Sequence, residues 1–106
     1  MEAALKAIAA PRRRQILTLV RDGELSAGEI AAHFDVTRPA VSQHLTVLKE
    51  AGLVHERRNG TRRLYSVRPE GLADVKAFLE SFWDERLQAL KAEAEREERR
   101  KRGKHD

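Results

Sequence analysis

The sequence has 106 residues, of which 36% are charged, with a formal net charge of +4 and a pI of about 9.8. This length suits one domain with a modest core, the basic balance favours a polyanionic partner, and the absence of cysteine excludes disulfides and thiolate metal sites. No apolar run is long enough to span a membrane and the first residues lack a signal-peptide core, so we expect a cytoplasmic protein without a membrane partner.

Two short helices are predicted at the start of the chain. The first, from Glu2 to Ala10, is expected to bury Leu5 and Ile8. Pro11 starts the second, which covers residues 12–21. The residues of this second helix that are expected to face inward are Ile16, Leu17 and Val20.

A run of three arginines, Arg12 to Arg14, lies at the start of this second helix. Successive residues fan around a helix instead of lining one face. The run therefore has two interpretations, a phosphate contact or a solvated helix start. Positive charges at this end are mildly unfavourable with the helix dipole.

The stretch from Leu25 to Leu53 predicts two helices joined by a tight turn. Ser26, followed three residues later by Glu29, is typical of a capping box at the start of the first helix. Thr37 is the expected N-cap of the second helix, and Gly52 is the residue expected just past its end. The apolar stripes are Ile30, Ala31 and Phe34 on the first helix, and Val41, Leu45 and Leu48 on the second.

The opposite face of the second helix is small or polar and carries no acid. Its residues are Pro39, Ala40, Ser42, Gln43, Thr46 and Val47. Such a face can lie in a DNA major groove, where hydroxyl and amide groups meet base edges and small apolar groups meet thymine methyls. Two helices with a short turn, the second exposed in this way, form the helix-turn-helix pattern. An ordinary helical hairpin with a solvated face is the alternative.

A β-hairpin is predicted next, because Asn59-Gly60 separates two short extended runs. We expect both residues to have positive φ in a type I′ turn. Four arginines crowd its tip: Arg57, Arg58, Arg62 and Arg63. Guanidinium groups at this density repel one another, and a DNA phosphate backbone or minor groove is the expected counter-charge. The alternative is a hairpin tip that is merely soluble.

The last predicted helix runs from Glu70 to about Arg96, roughly 40 Å at 1.5 Å per residue. A stripe this long, aliphatic and aromatic, usually needs a second copy to cover it. We therefore expect a homodimer, with this helix and the first helix at the interface. A monomer that buries the stripe internally is the alternative. The residues expected at the interface are Leu5, Ile8, Leu72, Val75, Leu79, Phe82, Trp83 and Leu87.

The end of the chain differs from the rest in composition. From Lys91 onward no apolar stripe persists, and pairs four residues apart, such as Glu95 with Arg99, favour helix in the early part. We expect one domain over residues 1–98 and a basic, disordered tail over residues 99–106.

Helix, helix, helix-turn-helix, arginine-tipped hairpin and long final helix make a winged helix-turn-helix. The sequence resembles the ArsR/SmtB family of bacterial transcriptional repressors. The resemblance is carried by Leu5–Leu17, by Arg38–Val54 and by Arg57–Tyr65, and it covers the chain up to about Leu90. The implied fold is mainly α with a small β-hairpin and has five helices. It is expected to dimerise through the N- and C-terminal helices.

The resemblance implies a homodimer that binds a pseudo-palindromic operator in double-stranded DNA and blocks transcription. The residues expected to approach the major groove are Thr37, Arg38, Ala40, Ser42, Gln43 and Thr46. Gln43 is the best candidate for bidentate readout of adenine. The wing residues expected to contact the backbone or minor groove are Arg57, Arg58, Asn59, Arg62 and Arg63.

The metal sites known in this family have no counterpart in the sequence. One subgroup has a Cys-x-Cys pair where this chain has Leu25 to Glu29, and another uses Asp and His pairs on the last helix, where no His lies between Glu70 and Arg102. We therefore predict no cofactor. Weak nickel or zinc binding, assisted by His105-Asp106, remains the alternative. His44 is expected to pack or to contact phosphate instead of binding metal.

Two further interpretations stay open at this stage. The chain can be a regulator that works with a co-regulator protein, since no ligand site is recognisable. An enzyme needs a nucleophile with a base, paired carboxylates or a cofactor loop, and none is found. Ser42 and His44 are two residues apart on one helix and cannot face each other.

Overall fold

A computed structural model of the chain describes residues 1–83 and 85–103. This part of the chain holds six α-helices, one 3₁₀ helix and a three-stranded antiparallel sheet. In order they are α1 (Glu2–Ala9), α2 (Pro11–Val20), β1 (Leu25–Ser26), α3 (Ala27–Ala31), α4 (Arg38–Glu50), β2 (Val54–Asn59), β3 (Arg62–Val67), the 3₁₀ helix (Pro69–Leu72), α5 (Ala73–Glu80) and α6 (Glu85–Gly103). The chain divides into two compact units, Met1–Val75 and a second that begins at Lys76.

The core of the first unit is built around the buried stripe of α4. Val41, Leu45 and Leu48 are at most 1% exposed, as their spacing predicts. The apolar residues that share this core from other elements are Ala4, Ala7, Ile16, Val20, Ile30, Leu53, Val54 and Val75. Because this burial removes one face of α4 from water, the opposite face of the helix is left at the surface.

Both ends of α4 are closed as the sequence predicts. The Thr37 hydroxyl oxygen accepts a hydrogen bond from the Ala40 N–H at 3.3 Å. At the other end Gly52 has φ +77° and donates its N–H to the Lys49 carbonyl at 3.0 Å, and the Leu53 N–H reaches the Leu48 carbonyl at 2.9 Å. These two bonds form a Schellman motif, which fixes where the helix ends and where the wing begins.

The predicted capping box of α3 is also confirmed. The Glu29 N–H donates to the Ser26 hydroxyl oxygen at 3.2 Å, and the Ser26 N–H donates to Glu29 Oε1 at 3.0 Å. The same segment contains β1, which the sequence did not predict. Leu25 pairs with Tyr65 and Ser26 with Leu64. A two-residue strand shows no alternating pattern, and its partner lies about 40 residues later, so local periodicity carries no signal for it.

The hairpin forms as predicted, but its turn differs from the expected type I′. Asn59 pairs with Arg62, so the two loop residues are Gly60 and Thr61. Gly60 has φ +67°. In the described part of the chain, every residue with positive φ is a glycine. This pattern fits a type II′ turn, which needs glycine at the first central position. Thr61, which is β-branched, thereby keeps the negative φ that it favours.

The first helix buries different residues from those expected. Ala4 and Ala7 are buried, whereas Leu5 and Ile8 are half-buried and pack at the edge of the core. The methyl side chains of the two alanines let α1 lie close against its neighbours, and the larger residues then flank the contact. Ala10 is extended, with ψ 123°, because the residue before a proline disfavours helix, so α1 ends at Ala9.

The single long helix predicted from Glu70 to Arg96 is wrong. A 3₁₀ helix precedes α5, and α5 ends at Glu80. The Ser81 hydroxyl donates to the Phe78 carbonyl at 2.6 Å, and the N–H of Phe82 and of Trp83 each bond a carbonyl three residues back. Backbone bonding that tightens to a spacing of three residues is typical of the end of an α-helix, so α5 stops here.

The tail expected from Arg99 is helical as far as the structure describes it. α6 continues to Gly103, whereas the sequence predicted a disordered tail over residues 99–106; residues 104–106 lie outside the described part. Ion pairs join Glu97 to Arg100 at 3.5 Å and Glu98 to Arg102 at 3.2 Å. Pairs at this spacing favour helix in a segment that has no apolar stripe. Within the described residues, no helix combines the length and apolar character needed to cross a lipid bilayer.

A close approach of two glycines joins the end of α4 to the 3₁₀ helix. A Cβ atom added at Gly71 would lie 1.9 Å from the Gly52 carbonyl oxygen and 3.2 Å from Cδ2 of Leu53. The first atom belongs to backbone that the Schellman motif holds in place. The segment after the wing can therefore return against the end of α4 only with glycine at position 71.

We expect Gly71→Ala to destabilise the fold by about 1–3 kcal/mol, because backbone must shift to admit the methyl group. Gly23→Ala is the matched control, since no described heavy atom lies within 4 Å of a Cβ at that site. The control should be neutral or stabilising by up to about 1 kcal/mol. Urea unfolding of both variants measures the difference, and equal free energies of unfolding would contradict this close packing.

Candidate nucleic-acid interface

The outward face of α4 is exposed and free of acids over its first two turns. Ser42, Gln43, Thr46 and Val47 are exposed, as are Thr37 and Arg38 at the start of the helix, and Ala40 is half-buried. The Thr46 hydroxyl donates to the Ser42 carbonyl at 3.0 Å. Gln43 makes no side-chain hydrogen bond within residues 1–83 and 85–103, so both of its amide groups are free to meet a base edge.

A groove of about 820 Å³ lies between α4 and the wing, the hairpin of β2 and β3. Hydroxyl and cationic side chains dominate its lining. From α4 it is lined by Arg38, Ser42, Leu45, Thr46, Lys49 and Glu50, and from the wing by Glu56, Thr61, Arg62, Arg63 and Tyr65. A groove of this composition suits a polyanion, since each cation can neutralise a phosphate and each hydroxyl can donate to one.

Glu56 joins the end of α4 to the wing. Its carboxylate accepts the Lys49 ammonium at 2.9 Å and lies 3.4 Å from Arg63 Nε, and the side chain is 15% exposed. The Lys49 hydrogen bond, aided by the charges of Lys49, Arg63 and Arg58, lowers the pKa of Glu56 against the opposing effect of burial. Glu56 therefore stays ionised and fixes the spacing between helix and wing.

Two wing arginines pair with acids of the segment before α4. Arg57 donates Nε and Nη2 to the Glu24 carboxylate at 2.9 and 2.8 Å, and Arg62 donates Nη2 to Glu29. The hydrogen bond from Arg57 lowers the pKa of Glu24, and the capping bonds from Ser26 are the main cause of the lowered pKa of Glu29. These acids supply counter-charge within the chain, whereas the sequence led us to expect it from DNA alone.

Sequence reasoning missed these acidic partners because they lie 33 residues from their arginines. Charge complementarity between two segments is visible in a sequence only once their register is known. Glu29 was identified for its capping role, and nothing in the local pattern pointed to its second partner. The remaining tip residues, Arg58 and Asn59, are exposed.

The three arginines at the start of α2 contact other residues of the chain, which the sequence did not predict. Arg13 donates to the Ala7 carbonyl at 2.6 Å and to the Lys6 carbonyl at 3.1 Å, and Arg14 donates to the Ile8 carbonyl at 2.6 Å. They thus satisfy carbonyls at the C-terminal end of α1, where positive charge is favourable. The Arg12 guanidinium lies 4.6 Å from the centre of the Phe34 ring, a cation–π contact.

His44 lies on the edge of α4, between its buried and its outward face. Its Nδ1 is 3.4 Å from Arg13 Nη1, and the ring is half-buried. Burial, followed by the charges of Arg13 and Arg12, lowers the pKa of His44 from its ordinary value of 6.5. The imidazole is therefore neutral near pH 7 and packs α4 against the junction of α1 and α2.

The residues expected at a dimer interface fall into two groups. Val75 is 4% exposed and belongs to the core of the first unit, and Leu5, Ile8 and Leu72 are half-buried against that core. Large apolar side chains of the second unit are exposed instead: Phe78, Leu79, Phe82 (56%), Trp83 (60%), Leu87 and Leu90. Phe78 and Phe82 meet edge to face with their ring centres 5.3 Å apart.

The residues present do not fit the metal sites of the family that the sequence resembles. The stretch from Leu25 to Glu29 forms β1 and the capping box of α3 and offers no sulfur, and soft metal ions need thiolate ligands. No three His, Asp or Glu side chains come together at metal-binding distance in the residues that the structure describes. His105 and Asp106 lie outside them.

Comparisons with known proteins agree with this geometry. The family model described as bacterial regulatory protein, arsR family, matches residues 10–56. The HTH-type transcriptional regulator Rv2034 of Mycobacterium tuberculosis is 48% identical over 84 residues, which cover 79% of this chain and 78% of that protein. The transcriptional repressor SdpR of Bacillus subtilis is 40% identical over 74 residues, which cover 70% and 82%.

A solved structure with the same fold supports the likeness in sequence. It is the homodimeric winged helix-turn-helix DNA-binding domain of a possible ArsR-family transcriptional regulator from Mycobacterium bovis, determined by NMR. The TM-score is 0.64 and the identity 37%, and the match covers 79% of this chain and 78% of that one.

The lowered pKa of His44 makes stability depend on pH. The unfolded chain takes up a proton as the pH falls through about 6.5, whereas the folded chain resists it until a lower pH, so stability is lost on acidification below about 6.5. The lowered pKa values of Glu24, Glu29 and Glu56 act in a separate window, since their contribution is lost only below 4.5.

We expect His44→Gln to reduce the fall in Tm between pH 7.5 and pH 5, because the variant has no imidazole to protonate at this position. His33→Gln, which removes an exposed histidine, is the matched control. Thermal unfolding across this pH range gives the slope for each protein. The same slope in wild type and in both variants would contradict the role assigned to His44.

Proposed function

This chain belongs to the arsR family of bacterial regulatory proteins, and we propose that it acts as a homodimeric, sequence-specific transcriptional repressor on a pseudo-palindromic operator. The observation that carries this proposal is the acid-free outward face of α4 beside the cationic groove. An α-helix with such a face fits the major groove of duplex DNA, and a neighbouring groove lined by cations fits the adjoining backbone.

The two sides of the groove take different roles in this proposal. From α4, Thr37, Arg38, Ala40, Ser42, Gln43 and Thr46 approach base edges and the phosphates that flank them. Gln43 is the candidate for reading a base, because its unpartnered amide can donate an N–H to N7 of adenine and accept a hydrogen bond from the N6 amino group at the same time. The wing, with its arginines and Asn59, contacts the backbone or the adjacent minor groove. These wing contacts give affinity that is independent of sequence.

The dimer is proposed from the exposed apolar side chains of the second unit. Phe82 and Trp83 are more than half exposed, and Leu79 and Leu87 are exposed as well. Large apolar side chains exposed in this number on a small protein mark an interaction surface. The M. bovis domain with the same fold is homodimeric. Two copies related by a two-fold axis would place their α4 helices about 34 Å apart, one turn of B-DNA.

The direction of regulation, the lack of catalysis and the place in the cell are parts of the same proposal. Repression is proposed instead of activation, since the relative SdpR is a repressor. The family consists of regulators, and we propose that this chain has no enzymatic activity of its own. Action on the bacterial chromosome would place it in the cytoplasm. A co-regulator protein, or weak nickel or zinc binding that involves His105 and Asp106, would be an addition to this function.

We expect Gln43→Ala to relax base preference at one position of each half-site, with a loss of about 1–3 kcal/mol in discrimination there. Affinity for random DNA should change little, because phosphate contacts remain. Selection of bound sequences from a randomised duplex pool, followed by measured affinities for the selected site and its single-base changes, tests this.

Gln88→Ala, the same substitution on α6, is the matched control and should leave base preference intact. Should the Gln43 variant keep full discrimination at every position, Gln43 is not a base-reading residue. If the wild-type protein selects no common sequence, and if it binds no duplex more tightly than random DNA, sequence-specific regulation is contradicted.

A further inference from the structure

The four arginines of the wing differ in what they touch. Arg57 makes a bidentate pair with Glu24, and Arg62 pairs with Glu29. The oxygen of Glu29 that receives Arg62 is Oε1, which also accepts the Ser26 N–H at 3.0 Å. Both arginines therefore reach back across the sheet to the segment that begins the helix-turn-helix.

The other two arginines lie in a different electrostatic setting. Arg58 and Arg63 are directly opposite each other across the hairpin. Arg63 and Lys49 share the single carboxylate of Glu56, and Arg58 acts on the same carboxylate through its charge. Arg58 itself makes no ion pair within the described residues. Three cations thus face one acid, which leaves about two positive charges at this side of the wing.

We propose that the wing arginines divide by role: Arg57 and Arg62 hold the wing to the start of the helix-turn-helix, while Arg58 and Arg63, with Lys49, contact the DNA phosphates. This inference deepens the proposed function and rests on it. It also removes Arg57 and Arg62 from the DNA contacts that the sequence and the proposed function assigned to all the wing arginines.

Net charge separates the paired arginines from the other two. Affinity for DNA backbone comes from counterions that cations displace from the phosphates. Arg57 with Glu24, and Arg62 with Glu29, each sum to zero charge. If Arg57 turned toward a phosphate, Glu24 would be left unpaired beside the DNA, and its repulsion of the phosphates would offset the attraction of Arg57.

Geometry supports the holding role. The fork of Arg57 matches the two oxygens of Glu24, and bidentate pairs fix direction as well as distance. Exposed ion pairs contribute little to stability, typically below about 1 kcal/mol. The pairs are therefore expected to act on where the wing lies relative to α4, and the informative readout is DNA binding and not the melting temperature.

The test measures affinity for a random 30-base-pair duplex as a function of salt concentration, which needs no knowledge of the operator. Arg58→Gln and Arg63→Gln should each reduce the slope of log K against log salt by about 0.9, the effect of one lost phosphate contact. Two charge-neutral double variants are the matched controls, Glu24→Gln with Arg57→Gln, and Glu29→Gln with Arg62→Gln. Glutamine at position 29 preserves the capping box. Both controls should lose affinity, because the wing is no longer held, but should keep the wild-type slope to within about 0.3, because no phosphate contact is removed.

A charge exchange separates holding from contact. Arg57→Glu alone should weaken binding, and addition of Glu24→Arg should restore it, because the pair is rebuilt with its ends reversed. If Arg57 contacts a phosphate, the exchanged protein carries a carboxylate at that contact and stays weak. Circular dichroism of every variant establishes that it is folded before its affinity is measured.

The outcomes distinguish two failures. Wild-type protein that shows no salt-dependent binding to any duplex would overturn the proposed function and this division together. If the wild-type protein binds, but the slope also falls by about 0.9 in the neutral double variants, the division alone would be overturned. The division is supported when only Arg58 and Arg63 change the slope and the exchange at positions 24 and 57 restores affinity.

Discussion

Burial of one stripe of α4 is the constraint on which the rest of the structure depends. Val41, Leu45 and Leu48 are withdrawn from water by α1, α2 and α3, and this fixes the rotation of the helix about its own axis. Its other face must then point outward. The Thr37 cap sets where that face starts, and the turn at Gly52 sets where the chain leaves it. The surface offered to a partner is thus a consequence of core packing.

Acidic side chains organise the basic surface. Glu24, Glu29 and Glu56 are each within ion-pair distance of a wing arginine, and Glu56 also holds Lys49 at the end of α4. Without such acids, a tip with four guanidinium groups would repel itself and spread. With them, the wing has a defined position relative to α4, and positive charge is concentrated on one side of the groove. A pre-organised surface of this kind loses less side-chain entropy when it meets a rigid polyanion.

Local patterns in the sequence predicted most of the first unit. Helical spacing found the stripe of α4, and residue chemistry found the caps at Ser26 and Thr37, because each depends on neighbours within a few positions. Two of the misses have a common cause in long-range structure. The pairing of β1 with β3 and the acid partners of the wing join segments more than 30 residues apart. The register of the hairpin placed Gly60, and not Asn59, at the first turn position.

The second unit shows where periodicity misleads. An apolar stripe continued through residues 72–90, so one helix was predicted, yet α5 ends at Glu80 and the backbone N–H groups of Phe82 and Trp83 each bond a carbonyl three residues back. A stripe records which residues avoid water, and it does not record whether the backbone between them is continuous. The same stripe did predict that its aromatic side chains would need a partner, since they are exposed within this chain.

If the protein acts as proposed, two copies of this surface meet successive major grooves of one duplex. Hydroxyl-radical footprinting with the unmodified protein, on DNA from upstream of the gene, measures this. We expect two equivalent protected regions whose centres are about 10–10.5 base pairs apart, with symmetrical protection on the two strands. A single protected region, or uniform protection along the duplex, would contradict it.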